Sequence, residues 1–299
     1  MCQKINLHTH SVFCDGNDTL EDLVQTAISK NFTALGFSSH SLYPNARSWH
    51  MKKQDFETYA NEICALKKKY ESKIKLQLGF EVDFFSSSKP DIKNYEKLFG
   101  ANYIIGAVHY VETQNGFYSV DNSTDIVKEN LLKLYPSKKV TVENKLPLDT
   151  EKLFDYVDGK TAVCQYFETQ RKMLQTCNFD ILAHPDLIRK RNGALGFFVE
   201  NEDWYINELE LTAKEISKNG AIVEINTGGV ARGVMDDFYP SHLFLQMLFK
   251  NKVPVCINSD CHNKDFLDFG FEKAAMQAKK VGYSELTYPI DKKLVHIKL

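Results

Sequence analysis

The sequence predicts an α/β chain folded as a distorted (β/α)7 barrel of the TIM type, and three observations predict it. Short apolar runs alternate with longer amphipathic segments, no Pro/Gly/Ser-rich linker or repeat divides the chain, and histidines and carboxylates recur where the apolar runs end. At 299 residues the chain is long for one ordinary domain but normal for a barrel, so residues 1–299 read as a single domain. Hydrophobic residues make up 43% and charged residues 25%, ample for a buried core and unlike a disordered chain.

The apolar runs are residues 4–8, 33–39, 74–83, 103–109, 179–184, 221–226 and 253–259. Each is short and mostly β-branched or aromatic, the pattern of parallel strands buried on both faces. Between the first two, Asp18-Thr19-Leu20-Glu21 supplies Asp18 as an N-cap with an acid three residues on, ahead of Leu23, Val24, Ala27 and Ile28. Residues 56–70, 161–174, 204–219 and 241–251 follow the same amphipathic rule, and Gly220 stands where a helix C-terminal glycine belongs. Gly159 and residues 114–122 read as loops. The span 111–178 is too long for one crossover and is expected to carry extra helices or a strand decoration. Within it, residues 138–146 (KKVTVENKL) alternate as a strand does.

Bulk properties narrow the partners. The net charge is −2 with no basic stripe, which disfavours nucleic acid. No window approaches the roughly 18 apolar residues needed to cross a bilayer, and the opening MCQKINLHTH has no secretory h-region. The seven cysteines form no C-x-x-C pair, which points to reduced thiols in a cytoplasmic protein and away from a thiolate zinc knuckle.

Of nine histidines, six sit at or just past a predicted strand end: His8 and His10 as an H-x-H pair, His40 in FSSH, His109 in GAVHY, His184 in ILAHPD and His262 in SDCH. Asp15, Glu81 and Asp260 keep the same company. In a parallel barrel all strand C-termini open on one face, so these nine side chains would converge there. Period 2 puts both imidazoles of H-x-H on one side of a strand. Imidazole with carboxylate is the donor set of Zn, Mn or Fe. A single buried histidine is more often structural, and it is the repetition of one position in the fold that points to metal. His50, His242 and His296 fall outside the pattern and read as surface or packing residues. Cys14 and Cys261 flank ligand positions but read as small buried hydrophobes.

These residues, in order from His8 to His262, resemble the polymerase and histidinol phosphatase (PHP) superfamily. Its pattern is an N-terminal H-x-H, a nearby acid, a histidine ending the second strand, a glutamate on the third, two further strand-end histidines and a final D-x-H. YIIGAVHYV, FDILAHPDLIRK and VEINTGGVARG followed by DDFYPS resemble the histidinol-phosphatase branch, although that branch reads closer to G-L-R-K at Gly229–Arg232. The resemblance implies three divalent ions: one on His8, His10, Glu81 and Asp260, a second on Glu81, His109 and His184 with Glu81 bridging, and a third on Asp15, His40 and His262. It implies hydrolysis of a small-molecule phosphate ester, L-histidinol phosphate, in histidine biosynthesis, with Glu81 and Asp260 framing a metal-bridged hydroxide.

Arginine is the expected partner of phosphate oxygens, and Arg232 after the sixth strand is the first candidate. Arg189 is the second, with Arg191 its rival. Glu168, Asp186 and Glu224 are available for the imidazole and amine of such a substrate. The alternative within the superfamily is a nuclease or nucleotide phosphoesterase, which the same ligands would serve. An amidohydrolase would call for a strand-end lysine, which the chain lacks, and a dead-site binding protein for a missing ligand, and none is missing.

Overall fold

A computed structural model describes residues 3–41, 49–138 and 152–299. In chain order its elements begin β1 (Lys4–Asn6), α1 (Leu20–Ser29), β2 (Phe32–Phe37), α2 (Phe56–Tyr70), β3 (Lys75–Asp83), α3 (Ile92–Phe99) and β4 (Tyr103–Ala107). Then come β5 (Tyr110–Thr113), β6 (Gly116–Ser119), α4 (Thr124–Leu134), α5 (Gly159–Thr176), β7 (Ile181–Leu182), α6 (Asn192–Leu195) and α7 (Asp203–Asn219). The chain continues through β8 (Ile222–Asn226), α8 (Gly228–Ala231), α9 (His242–Lys250), β9 (Val255–Asn258), α10 (Phe271–Val281), β10 (Glu285–Ile290) and β11 (Lys293–Lys298).

Seven parallel strands make one sheet in the order β1-β2-β3-β4-β7-β8-β9, as expected for the barrel. The sheet curls until its edges meet. Leu7 N–H donates to Asn258 Oδ1 at 2.8 Å, Asn6 Nδ2 to Ser259 Oγ at 2.6 Å, and His10 N–H to the Cys261 carbonyl at 2.9 Å. Side-chain amides thus close a seam that carries no continuous backbone ladder.

The barrel interior is filled around Tyr103. Its hydroxyl donates to the Leu7 carbonyl and lies 3.1 Å from the Phe37 carbonyl oxygen, tying β4 across to the first two strands. The ring lies directly against β3, where a Cβ at position 79 would stand 2.4 Å from the ring carbon bearing the hydroxyl. Glycine is required there because no other residue leaves the ring its place. Gly79→Ala should therefore destabilise the fold by about 3 kcal/mol, the upper part of the usual overpacking range. Urea unfolding monitored by circular dichroism measures it, and an unchanged midpoint would refute this account of the interior.

Several elements differ from expectation. The N-cap of α1 is Thr19, whose side chain and that of Asp22 form a capping box. Asp18 instead accepts from Lys264 N–H at 2.7 Å and ties the start of α1 to the loop after β9. Gly159 is not in a loop. It opens α5, where Asp158 caps Thr161 N–H at 3.0 Å. Within residues 114–122, β6 pairs antiparallel with β5, a hairpin too short for periodicity to reveal. That hairpin, α4 and the whole of α5 are the elements described in the decorated span 111–178. The strand expected at 138–146 lies, apart from Lys138, outside the described residues.

The hairpin β10–β11 has no counterpart in the sequence reading. The Tyr288 hydroxyl accepts from Ile257 N–H (3.0 Å) and lies 3.2 Å from its carbonyl oxygen, while Asp291 and Gln77 exchange two hydrogen bonds of 2.9 and 3.0 Å. Gln77 lies near the start of β3, so the hairpin packs where strands begin and leaves the strand ends open. No helix among the described residues is long and apolar enough to cross a membrane.

Candidate metal centre

The nine strand-end residues converge. Glu81, near the end of β3, is at their middle. Its Oε2 lies 2.9 Å from His40 Nδ1, 3.3 Å from His8 Nε2 and 3.5 Å from His10 Nε2. Its Oε1 lies 3.1 Å from His184 Nε2 and 3.6 Å from His109 Nε2. Asp260 Oδ1 stands 3.2 Å from His10 Nε2 and 3.5 Å from His8 Nε2. Asp15 and His262 complete the outer side, Oδ2 to Nε2 at 3.3 Å, and their side chains remain about a third and a quarter exposed.

Local structure explains the convergence. Thr9 turns outward, where its N–H donates to Ser38 Oγ at 3.0 Å and its hydroxyl to the Gly36 carbonyl at 2.7 Å, so His8 and His10 both turn inward. His184 and Asp260 adopt positive φ, +21° and +48°, backbone conformations that non-glycine residues rarely hold and that concentrate at functional sites.

The imidazoles are oriented from behind. Glu224 on β8 takes His8 Nδ1 at 2.8 Å, and Asp83 on β3 takes His109 Nδ1 at 2.6 Å. Glu224 also accepts from Asn226 Nδ2, Asn258 Nδ2 and His184 N–H at 2.7, 3.0 and 3.1 Å. It is therefore a buried support for His8, not a substrate contact. Carboxylates behind imidazole ligands fix the tautomer and present the other nitrogen to a cation. Asp83 escaped the sequence reading and Glu224 was read as a candidate for the substrate, although each stands two residues from another site-facing residue on its strand, Glu81 and Asn226 respectively, and so shares its face.

The arrangement fits bound divalent cations. His8 Nε2 and His10 Nε2 face each other at 3.1 Å, and the buried atoms Glu81 Oε2, His40 Nδ1 and His184 Nδ1 have no aligned hydrogen-bond partner among the described residues. Among the described residues three overlapping donor groups occur: His8, His10 and Glu81; His40, Glu81 and His109; and His10, Asp15, His40 and His262. His10, His40 and Glu81 are each shared between two of these groups.

Electrostatics agree with that fit. Burial alone would raise Glu81 and Asp260, yet imidazoles around Glu81, and Arg232 with His8 around Asp260, hold both well below the usual carboxylate range. Burial, with His262 and His40 alongside, pushes His10 down to about 3. Burial would also depress His109, but Asp83 and Glu81 outweigh it and push it up to about 9. In the cation-free protein His109 thus keeps a proton from acid pH up to about 9, and an incoming cation must displace it. Zinc binding at pH 7 should release protons, and this release should fade as pH rises past about 9. Calorimetry in buffers of different ionisation enthalpy measures it. Equal release at pH 7 and pH 10 would contradict the assignment.

The centre floors a cleft of about 290 Å³ lined also by Trp49, Asp121, Asn122, Ser123, Lys190 and Arg232. Arg232 is where the sequence puts it. Its Nη2 donates to Asp260 Oδ2 at 3.0 Å and its Nη1 to the Asp260 carbonyl at 2.8 Å. Arg189 is not in the cleft. It is buried, with Nε on Glu200 Oε2 at 2.7 Å and Nη1 3.5 Å from Asp186 Oδ2. Lys190, one residue on, lines the cleft in its stead and pairs with Asp121. Arg191 bonds the Asn122 carbonyl at 2.8 Å.

Asp186, committed to Arg189 and Ser241 N–H, is removed from substrate, and Glu168 does not line the cleft. His50 is not a surface residue: it is buried against Asp83 at 2.8 Å. Cys14 Sγ lies 3.4 Å from His10 Nδ1, where burial and Asp15 push its thiol up and keep it neutral.

Comparison with known proteins adds relatives along nearly the whole chain. A family profile described as "PHP domain" matches residues 6–228. The histidinol-phosphatase of Bacillus subtilis (strain 168) is 23% identical over 283 residues, spanning 90% of this chain and 97% of its own. A probable histidinol-phosphatase of Schizosaccharomyces pombe is 23% identical over 299 residues, covering 94% and 88%. Among solved structures, a putative histidinol phosphatase from Listeria monocytogenes superposes with a TM-score of 0.76 at 20% identity, covering 90% of this chain and 99% of the other. A histidinol phosphate phosphatase from Lactococcus lactis, solved with zinc, L-histidinol and phosphate, superposes at 0.70 with 17% identity, covering 98% and 99%.

Proposed function

The chain belongs to the PHP domain family, and from that premise we propose that residues 1–299 form one barrel domain acting as a metal-dependent histidinol-phosphatase in the cytoplasm. The substrate is L-histidinol phosphate, and the products are L-histidinol and phosphate. One observation carries the reading: six imidazoles and three carboxylates meet beneath a cleft whose wall presents Arg232 and Lys190. The curated relatives named for this activity, matched over most of their length, support the substrate.

His8, His10, Asp15, His40, Glu81, His109, His184, Asp260 and His262 would hold three divalent ions, for which Zn, Mn or Fe suits the imidazole and carboxylate donors. Such ions lower the pKa of water toward about 7 and draw charge from phosphoryl oxygens. The chain's own residues do the remaining work. Glu81 and Asp260 stay anionic and frame the point of attack, while Arg232 offers a planar donor fork to the oxygens of the transferring group. Lys190 adds a second cation, held in place by Asp121. Trp49 supplies an aromatic face and Asp121 a carboxylate within reach of a cationic imidazole-bearing alcohol.

Phosphate release from L-histidinol phosphate and from a nucleoside monophosphate, measured side by side with nucleotide release from single-stranded DNA on metal-loaded protein, tests the reading. Preference for histidinol phosphate is expected. Preference for DNA would overturn it in favour of a nuclease.

A further inference from the structure

We propose that His50 is a positioning residue of the metal centre, holding Asp83 so that Asp83 holds the His109 imidazole with Nε2 turned toward Glu81. The inference rests on the metal-centre reading above. Asp83 divides its carboxylate between two rings, Oδ1 on His109 Nδ1 at 2.6 Å and Oδ2 on His50 Nε2 at 2.8 Å. All three side chains are buried, with 3–5% of their surface exposed.

A carboxylate behind a ligand imidazole orients it only as well as the carboxylate is itself held. With one ring alone, the Asp83 carboxyl would be free to turn about its terminal torsion, which is broad. The second ring removes that freedom. Asp83 also lies two residues from Glu81 on β3, so strand geometry presents both carboxylates to the same side.

His50 is itself held by its neighbours. The Trp49 indole stacks on Tyr110 at 6.0 Å and 6°, next in sequence to His109, and Met51 N–H donates to the His40 carbonyl at 3.1 Å. Residues 49–51 therefore touch two ligand histidines of one side of the centre, His40 through backbone and His109 through Asp83. His50 works from behind the ligands: its Nε2 is taken up by Asp83.

The test is competitive zinc titration against a chromophoric chelator for wild-type protein, His50→Ala and His50→Gln, with melting curves of the cation-free forms. Glutamine keeps an N–H donor near the place of Nε2. We expect His50→Ala to weaken one zinc ion of the set by about 10- to 100-fold, the usual cost of losing such support, and His50→Gln to restore most of it. Wild-type zinc affinity in His50→Ala would overturn the proposal. So would a glutamine variant as weak as alanine with an equally lowered melting temperature, because that marks a packing role. A wild-type protein that takes up no zinc would remove the metal-centre reading itself, and this inference with it.

Discussion

Phosphate release by a Glu81→Gln variant should fall at least about a thousand-fold, a loss of roughly 4 kcal/mol in transition-state stabilisation at tenfold per ~1.36 kcal/mol. No other carboxylate among the described residues stands within 4 Å of five of the converging imidazoles, two on one oxygen and three on the other. Replacing one oxygen by an amide aims a donor at nitrogens that must themselves face a cation, so the substitution turns attraction into conflict. It also removes an anion that is depressed by its imidazole neighbours. In the cation-free protein that depression stabilises the fold above the ordinary carboxylate pKa and is lost as pH falls through the lowered one. The glutamine variant should therefore bind fewer ions at pH 7 and lose, in cation-free form, part of the neutral-pH stability that wild type has. Metal analysis with single-turnover phosphate release measures the first, and melting curves between pH 3 and pH 7 the second. Full metal content with near-normal turnover would show that Glu81 is not the bridge.

Arg232→Ala should lower kcat/KM on the order of a hundred- to a thousand-fold, the cost of losing one preorganised donor to developing charge, while leaving the ions in place. The geometry separates the two effects. Asp260 Oδ1 faces His8 and His10, whereas Oδ2 faces Arg232 at 3.0 Å and Asn226 Nδ2 at 3.3 Å. Removing the guanidinium leaves Asn226 to hold Oδ2, so the ligand oxygen keeps its aim. Arg232→Lys should recover little, since an ammonium cannot span two oxygens. Kinetics alongside metal content decides the matter. Unchanged kcat/KM would take Arg232 out of the site, and lost metal would make it a support for Asp260 alone.

Arg189 and Lys190 illustrate how far sequence reading reaches. Both are cations just past His184, and the sequence reading took Arg189 for its fork, with Arg191 as its rival, without weighing Lys190. They lie at the end of a single tight turn, Leu187–Arg189, where successive side chains diverge. Arg189 turns inward to Asp186 and Glu200, and the burial of Asp186, pushed up to about 6 despite its arginine, marks that pocket as closed. Lys190 turns into the cleft, to Asp121 from the decorated span 111–178. Glu200 and Asp121 are too distant in sequence for periodicity to indicate which way each residue faces.

The strand ends were legible because one local rule placed them: an apolar run stops, and a histidine or acid stands at its C-terminal end. Seven such runs in a chain without a linker imply a parallel barrel, and a parallel barrel brings its strand ends to one mouth. Periodicity along one strand also sufficed for the inward turn of His8 and His10. What lies across the barrel from a residue is another matter, since it depends on how strands twist and which side chains fill the interior. Only the folded chain settled that Tyr103 occupies the space over Gly79, that the last hairpin packs against the strand starts, and that His50 stands behind Asp83. Those contacts join positions whose local patterns carry no mark of each other, and close packing in three dimensions selects them.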